Sequence, residues 1–423
     1  MYMIIGIIGS GGREHAICNS IKNSNKVKKI YCFPGNAGTQ IIAENIKINA
    51  DDINGIREFV IEKKIDLVIV GPEKPLVDGI VDFFEEKGIK IFGPNKISSQ
   101  LEGSKIFTKK LCEKYNIPTA KFGIFESLEK AYDFIEKAKF PLVVKADGLA
   151  SGKGVYICDN KKNAQDSIKE VFGGKFGVAT NILIEEFLSG EEMSYFIISD
   201  GKEIRNFETA QDHKRVLEGD KGANTGGMGA YSPSRLINQV LEEKIINKII
   251  KPTIKALKEM GSDYKGFLYA GLMIVKDEPY LIEYNVRMGD PECQTILPKL
   301  KTDLLDIIES CCNEKLKETK IEWHDKKSLC IVLCSKGYPE KYDSKVLIEN
   351  IEKLDLDKDE FIFYAGTKKI DNKVYSNGGR VMNFVSLSSN FKHSRDKVLN
   401  LIKNLNWTGG FFRKDIGHKV IDE

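Results

Sequence analysis

Residues 283–292 read EYNVRMGDPE. Side chains of an extended strand alternate faces, so Glu283, Asn285 and Arg287 share one side and Tyr284 and Val286 the other. A carboxylate and an amide oxygen are hard ligands. Mg²⁺ takes one or two such groups from a protein and completes its shell with phosphate oxygens and water. An arginine on the same face adds a clamp for an anion. The pattern also fits a polar strand face turned to solvent, but the adjoining GDPE argues for chemistry.

Residues 142–155, LVVKADGLASGKGV, set Lys145 and Lys153 beside Gly148, Gly152 and Gly154. A P-loop requires G-x-x-x-x-G-K-[ST] between a strand and a helix. Here only three residues separate Gly148 from Gly152, and Gly154 stands where a hydroxyl would meet magnesium. GVYIC then reads as a second strand. The unit is strand, glycine loop, strand. Such a unit can fold over phosphates as a lid, with backbone N–H groups and Lys153 as donors. It equally fits a plain hairpin with a solvated lysine.

Two more segments carry polar groups at turns. In 182–199, ILIEEFLSGEEMSYFIIS, two strands flank Ser189-Gly190 among four glutamates, which suits a purine edge and a ribose or an acidic solvated hairpin. Residues 211–231, QDHKRVLEGDKGANTGGMGAY, read as a long polar loop, and such loops inside compact chains are usually functional or disordered. The charges ahead of its glycines suit a substrate cradle better than a linker.

These groups need elements to position them. Residues 1–100 alternate short strands with helical patterns, an order that argues an open parallel sheet. Three strands end in glycine turns, GSGG at 9–12, PGNAG at 34–38 and VGPE at 70–73, where such sheets bind ligands. A dinucleotide fingerprint fails. Glu14 replaces the third glycine, and no acid closes the second strand. What remains is an anion-binding turn at a helix N-terminus, or a tight structural turn. Beyond 101–107 a smaller mixed unit holds the glycine loop, GFLYAGLMIV (266–275) is a strand before the KDEP turn, and the last hundred residues suggest a small α+β unit with a helix over 391–405.

Composition narrows the class. The 423 residues allow about three domains. A net charge of +3, from 64 basic and 61 acidic residues, gives no reason to expect nucleic-acid or membrane binding. No apolar run is long enough for a membrane span, and the N-terminus reads as a first strand rather than a signal peptide. Nine cysteines without metal spacing suggest free thiols in a reducing cytoplasm, and five scattered histidines make a zinc site improbable.

Read in order, GSGGREHA, PGNAGT, IVGPEKPLVDG, QLEGSK, KADGLASGKGV, IEEFLSGEE, QDHKR, NTGGMGAYSP, EYNVRMGDPE, NGGRV and RKDIG resemble the phosphoribosylamine–glycine ligase family of ATP-grasp enzymes. The resemblance runs from the first strand to the last ten residues. It implies an N-terminal open parallel α/β sheet, an ATP-grasp fold of two subdomains and a small C-terminal α+β domain. Boundaries are expected at 1–103, 104–191, 192–324 and 325–423. The implied reaction phosphorylates glycine with ATP, and the amine of 5-phosphoribosylamine then attacks the glycyl phosphate.

The resemblance also assigns residues. Lys105, Lys145, Gly152, Lys153 and Gly154 would meet the ATP phosphates. Glu185, Phe187 and Leu188 would form the adenine hinge, with Glu192 on the ribose. Glu283 and Asn285 would bind Mg²⁺ or Mn²⁺, and Arg287, Lys153 and Lys214 would serve catalysis. The other substrates would meet Gly11, Gly12, Arg13 and Glu14 in the first turn, Gly35, Asn36, Gly38 and Thr39 in the second, and Pro72 and Glu73 in the third. Asp212, Lys214, Asn224, Thr225, Gly226 and Gly227 would add to that site, as would Arg287, Asp290, Pro291 and Glu292. Cys293 departs from the hydroxyl residue expected there and raises the possibility of a thiol near the site. A monomer or weak homodimer with small-molecule partners is expected, with no fused domain after residue 423. Rival readings are another ATP-grasp ligase of purine metabolism, separated by acceptor dependence, and a nicotinamide dehydrogenase, separated by NAD(H) binding.

Overall fold

The computed structural model describes residues 2–149, 154–175, 177 and 181–421. The first layer is the expected parallel sheet. Strand Met3–Gly9 lies between Val27–Pro34 and Leu67–Val70, with the two-residue strands Glu44–Asn45 and Ile91–Phe92 at its edges. Ile5, Ile7 and Ile8 are fully buried, as strands covered on both faces require.

A second, antiparallel sheet of four strands has the order Phe122–Phe125, Ile182–Glu186, Leu142–Ala146, Val155–Cys158. Lys145 pairs with Val155, so the glycine loop does join two hairpin strands. Helices Leu128–Glu136 and Lys161–Phe172 cover this sheet around a core of their own that includes Ala131, Ile135, Val144 and Ile168. Helix Lys105–Tyr115 instead sends Leu111 and Cys112 into the core of the larger unit. The independent core therefore starts after that helix.

The third sheet has nine strands and runs through two of the units expected from the sequence. Glu278–Asn285, Lys265–Val275, Glu191–Asp200, Ile204–Asp212 and Gly229–Ser232 lead directly to Lys327–Ser335, Arg380–Ser388 and Glu360–Tyr364, and Gly410–Phe411 pairs with the end of Lys327–Ser335 as the ninth. The pairing of Tyr231 with Leu329 makes the C-terminal strands an extension of the central sheet. Helix Phe391–Leu405 lies where the periodicity places it. The hairpin before Glu278 turns on Lys276 and Asp277, both left-handed (φ 50 and 61) without a glycine.

The long polar loop differs from expectation. Strand Ile204–Asp212 runs into it, and Arg215–Leu217 pairs with Lys221–Asn224 as a small hairpin. Likewise 187–190 is no hairpin turn, because the strands on either side belong to different sheets. No helix among the described residues is long and apolar enough to cross a membrane.

Candidate active site

At 187–190 the chain crosses from the four-stranded to the nine-stranded sheet. Phe187 is exposed there and Leu188 half-buried. Glu185, at the end of its strand, turns inward instead. Its carboxylate lies 2.9 Å from Lys145 Nζ and 3.2 Å from Lys109 Nζ, all nearly solvent-free. Burial pushes Lys109 down, partly offset by Glu185.

On the facing sheet the alternation holds. Tyr284 and Val286 are buried, while Glu283 and Asn285 are partly open on the other face. Burial would raise Glu283, but Lys214, Lys145, Lys105 and Arg287 together bring it below the ordinary carboxylate range. Four cations of the sequence reading thus converge on one carboxylate. Lys105 donates to the Gly148 carbonyl (2.9 Å), and Asp147 accepts from Ser104 and the Ile106 N–H, so the start of the loop is moored to a helix N-terminus. Gly154 closes the far end by accepting from the Ala146 N–H (2.8 Å). Gly152 and Lys153 lie outside the described residues.

Lys214 reaches Glu192 (2.9 Å) and Glu283 (3.8 Å). Burial alone would lower its pKa, but Glu192 and Asp212 hold it well above the usual value. Asp212, on the adjacent strand end, is pushed up to about 8 by burial and by Glu292, Glu192 and Glu283, against the pull of Lys214. Glu292 is buried and accepts from Ser194 (3.2 Å). Thr225 holds the Lys214 carbonyl through its N–H and its hydroxyl, both at 2.8 Å. Asn224 pairs with Arg215, Gly226 lies between Arg380 and the Tyr338 hydroxyl, and Gly227 (φ 112) packs on Pro291.

The first-domain turns are arranged otherwise than expected. At the start of helix Gly12–Ile21 two N–H groups are already engaged within the protein: Gly11 N–H donates to Glu14, and Arg13 N–H to Asp290 (3.3 Å). The Arg13 guanidinium is buried, 2.6 Å from Glu14. A Cβ at Gly9 or Gly71 would strike the Glu14 side chain, so those glycines seat the protein's own carboxylate. Asn36 uses its amide on Ser10, Gly11 and Tyr364 carbonyls and its oxygen on the Gly38 and Thr39 N–H groups. Gly35 makes room for Asn45 and Thr39, and Gly38 for His15. Pro72 and Glu73 start the next helix, and Glu73 reaches Arg287 (3.3 Å). Cys293 is a buried thiol whose pKa burial raises, donating weakly to the Arg13 carbonyl.

Sequence reasoning missed Glu102, Lys109, Arg380 and Arg413. Glu102 grips Arg287 at 2.6 Å, and Arg380 reaches Asp290 and Gly226 from the C-terminal strands. Three of the four lay inside recognised motifs, QLEGSK, NGGRV and RKDIG, but motif membership alone did not say what they touch.

Comparison with known proteins places the whole chain. Residues 3–102 match the N domain of phosphoribosylglycinamide synthetase, 103–293 its ATP-grasp (A) domain and 328–419 its C domain. A phosphoribosylamine–glycine ligase of Caldanaerobacter subterraneus subsp. tengcongensis is 44% identical over 98% of this chain and 99% of its own length. One of Fusobacterium nucleatum is 43% identical over 98% of each. The crystal structure of the Thermotoga maritima phosphoribosylamine–glycine ligase superposes with a TM-score of 0.85 at 32% identity, covering 98% of this chain and 100% of that one. The biotin carboxylase domain of Hydrogenobacter thermophilus 2-oxoglutarate carboxylase shares the fold at 14% identity, with a TM-score of 0.74 over 99% of this chain and 98% of that one.

Proposed function

The chain belongs to the phosphoribosylglycinamide synthetase family, and from that premise we propose how its own residues carry the reaction. It is an ATP-dependent carbon–nitrogen ligase of purine biosynthesis that joins glycine to 5-phosphoribosylamine. The observation that carries the residue assignment is Lys214 set between Glu192 (2.9 Å) and Glu283 (3.8 Å), with the positive charge of Lys105, Lys145 and Arg287 also acting to lower the Glu283 pKa.

The glycine carboxylate attacks the γ-phosphorus of ATP, ADP leaves, and a glycyl phosphate forms. The amine of phosphoribosylamine then attacks the glycyl carbonyl, expels phosphate and gives up a proton. Two anions must meet in the first step, so positive charge fixed in a water-poor cleft lowers the barrier. Lys105 and Lys145 hold the phosphates, and Lys153 with the Gly152 and Gly154 N–H groups would add donors to them. The separate core of the four-stranded sheet supports its closing as one body. Phe187 and Leu188 offer backbone groups to adenine beside Glu185. Glu192, held by Lys214, meets the ribose of ATP.

Glu283 and Asn285 fit a divalent ion, because both present oxygen donors on one face and the surrounding cations keep Glu283 ionised. Mg²⁺ or Mn²⁺, when bound, neutralises phosphate charge there. Asp212 and Glu292 suit the glycine ammonium. The phosphoribosyl group falls to the 224–227 segment with Asp290 and Pro291, since the first-domain turns spend their polar groups internally. The proposed working state is a monomer or weak homodimer. The nine cysteines, all free thiols, suit a reducing cytoplasm.

ADP release with each substrate omitted in turn tests the activity. Glycine labelled with ¹⁸O in its carboxylate tests the route: one label should reach released phosphate, and unlabelled phosphate at full turnover would rule out the acyl phosphate.

A further inference from the structure

Lys214 sits at the mouth of a two-stranded hairpin, Arg215–Leu217 with Lys221–Asn224, that pairs with no other strand among the described residues. A lone hairpin is at best marginally stable in water. A lysine also has four rotatable side-chain bonds, so a drifting backbone would scatter its ammonium. Something outside the hairpin must fix it, and that anchor comes from about two hundred residues further along the chain.

Arg413 is 1% exposed. Its guanidinium grips Asp415 with two bonds, 2.8 and 2.7 Å. The remaining terminal nitrogen donates to the Arg215 carbonyl and to Asp220 at the hairpin tip, both at 2.9 Å. Neighbours of Arg413 add to the grip. Asp415 accepts from the Gly219 N–H (2.8 Å), and Glu218 from the Lys414 N–H (3.1 Å). Gly417 N–H donates to His213 Nε2 (3.2 Å). The residues immediately before and after Lys214 are therefore both bonded to the 413–417 segment, while Thr225 holds the carbonyl of Lys214 itself.

We propose that Arg413 is a positioning residue for the ligase reaction, clamping the hairpin so that the Lys214 ammonium stands between Glu192 and Glu283. The inference rests on the catalytic reading of Lys214. A planar guanidinium suits the task because it serves a carboxylate fork and two further acceptors at once, which an ammonium on a flexible stem does not. The segment that follows the C-terminal strand Gly410–Phe411 thus delivers a structural part of the active site.

The test is a double-mutant cycle on the full chain. Arg413→Lys keeps the charge without the fork. Asp220→Ala, at the partly exposed tip, leaves the Arg413–Asp415 pair intact, so the cycle survives if the buried substitution disturbs folding. Each is made alone and with Lys214→Ala, and kcat and the three KM values are measured beside thermal melts. Misplacing a reacting group is expected to lower kcat roughly 10- to 100-fold in Asp220→Ala and Arg413→Lys. Combined with Lys214→Ala, either should be no slower than Lys214→Ala alone, because the clamp then has nothing to position. Wild-type kcat in both single variants overturns the clamp while leaving Lys214 in place, as do fully multiplicative losses in the doubles. Wild-type kcat in Lys214→Ala itself removes the role of Lys214, and the clamp's catalytic purpose with it.

Discussion

Glu102 Oε1 stands 2.6 Å from the Arg287 guanidinium, and the pair is almost closed to solvent. The other Glu102 oxygen accepts from the Val286 N–H at 2.8 Å. One carboxylate thus fixes both the backbone just after Asn285 and the side chain of Arg287. Burial pushes Glu102 up to about 7, against the pull of Arg287. A raised carboxylate takes its proton as pH falls through that value, and the ion pair is then lost. The kcat of the wild-type protein should therefore decline below about pH 7. Glu102→Gln should lower kcat by about 10-fold or more, the scale of a hydrogen bond to a charged group, and flatten that acid limb. A variant with wild-type kcat and an unchanged limb would remove Glu102 from the positioning of Arg287.

Glu283 is open enough to be replaced without harm to the core. Glu283→Gln keeps the shape and removes the charge that Lys105, Lys145, Lys214 and Arg287 surround. Turnover should fall about 100-fold or more, as for loss of a charge-stabilising group, and the Mg²⁺ concentration for half-maximal rate should rise. A magnesium titration with thermal melts in parallel checks this. An unchanged titration at wild-type rate would take Glu283 out of the metal site.

What the sequence could reveal followed from periodicity. The strand, loop and strand around Lys145, the shared face of Glu283 and Asn285, and helix Phe391–Leu405 all depend on local alternation, which the chain carries in order. The use of the first-domain glycines was not legible in the same way. Gly9, Gly71 and Gly38 look like anion cradles, but their missing Cβ atoms admit Glu14 and His15. Which group fills a glycine hollow is decided by side chains folding back across the sheet, and no spacing rule encodes that. Glu102, Arg380 and Arg413 were hidden for a related reason. Each acts on a partner about 90 to 200 residues away.

Arg13 is the point at which these two readings give opposite outcomes. An arginine at an open helix N-terminus would hold the substrate phosphate, and its removal would raise one KM alone. The buried Arg13 instead neutralises Glu14, whose side chain is 2% exposed. Arg13→Ala leaves that carboxylate without its cation, a change costing about 3–5 kcal/mol when a buried pair loses one partner. The variant should melt at a clearly lower temperature, and the protein that remains folded should keep similar KM values for all three substrates. A wild-type melt with a selective rise in the phosphoribosylamine KM would return the phosphate to the first turn.

The proposed contact of Asp212 with the glycine ammonium gives the site a pH dependence separable from that of Glu102. Burial and the neighbouring Glu292, Glu192 and Glu283 push Asp212 up to about 8, with Lys214 opposing. Below that pH the group is mostly protonated and a poor partner for an ammonium. Glycine keeps its ammonium throughout this range, so the charge that changes is the protein's. The glycine KM should therefore fall as pH rises, by about tenfold per unit while Asp212 is still protonated, and level off above about 8. Entry of the ammonium offsets the crowding of carboxylates and favours ionised Asp212, which is the reciprocal of the same effect. Asp212→Asn should show a high glycine KM that no longer changes with pH, while the ATP constant stays near wild type. Measuring the glycine KM at saturating ATP and phosphoribosylamine across this range decides it. A flat wild-type profile would move the glycine ammonium away from Asp212.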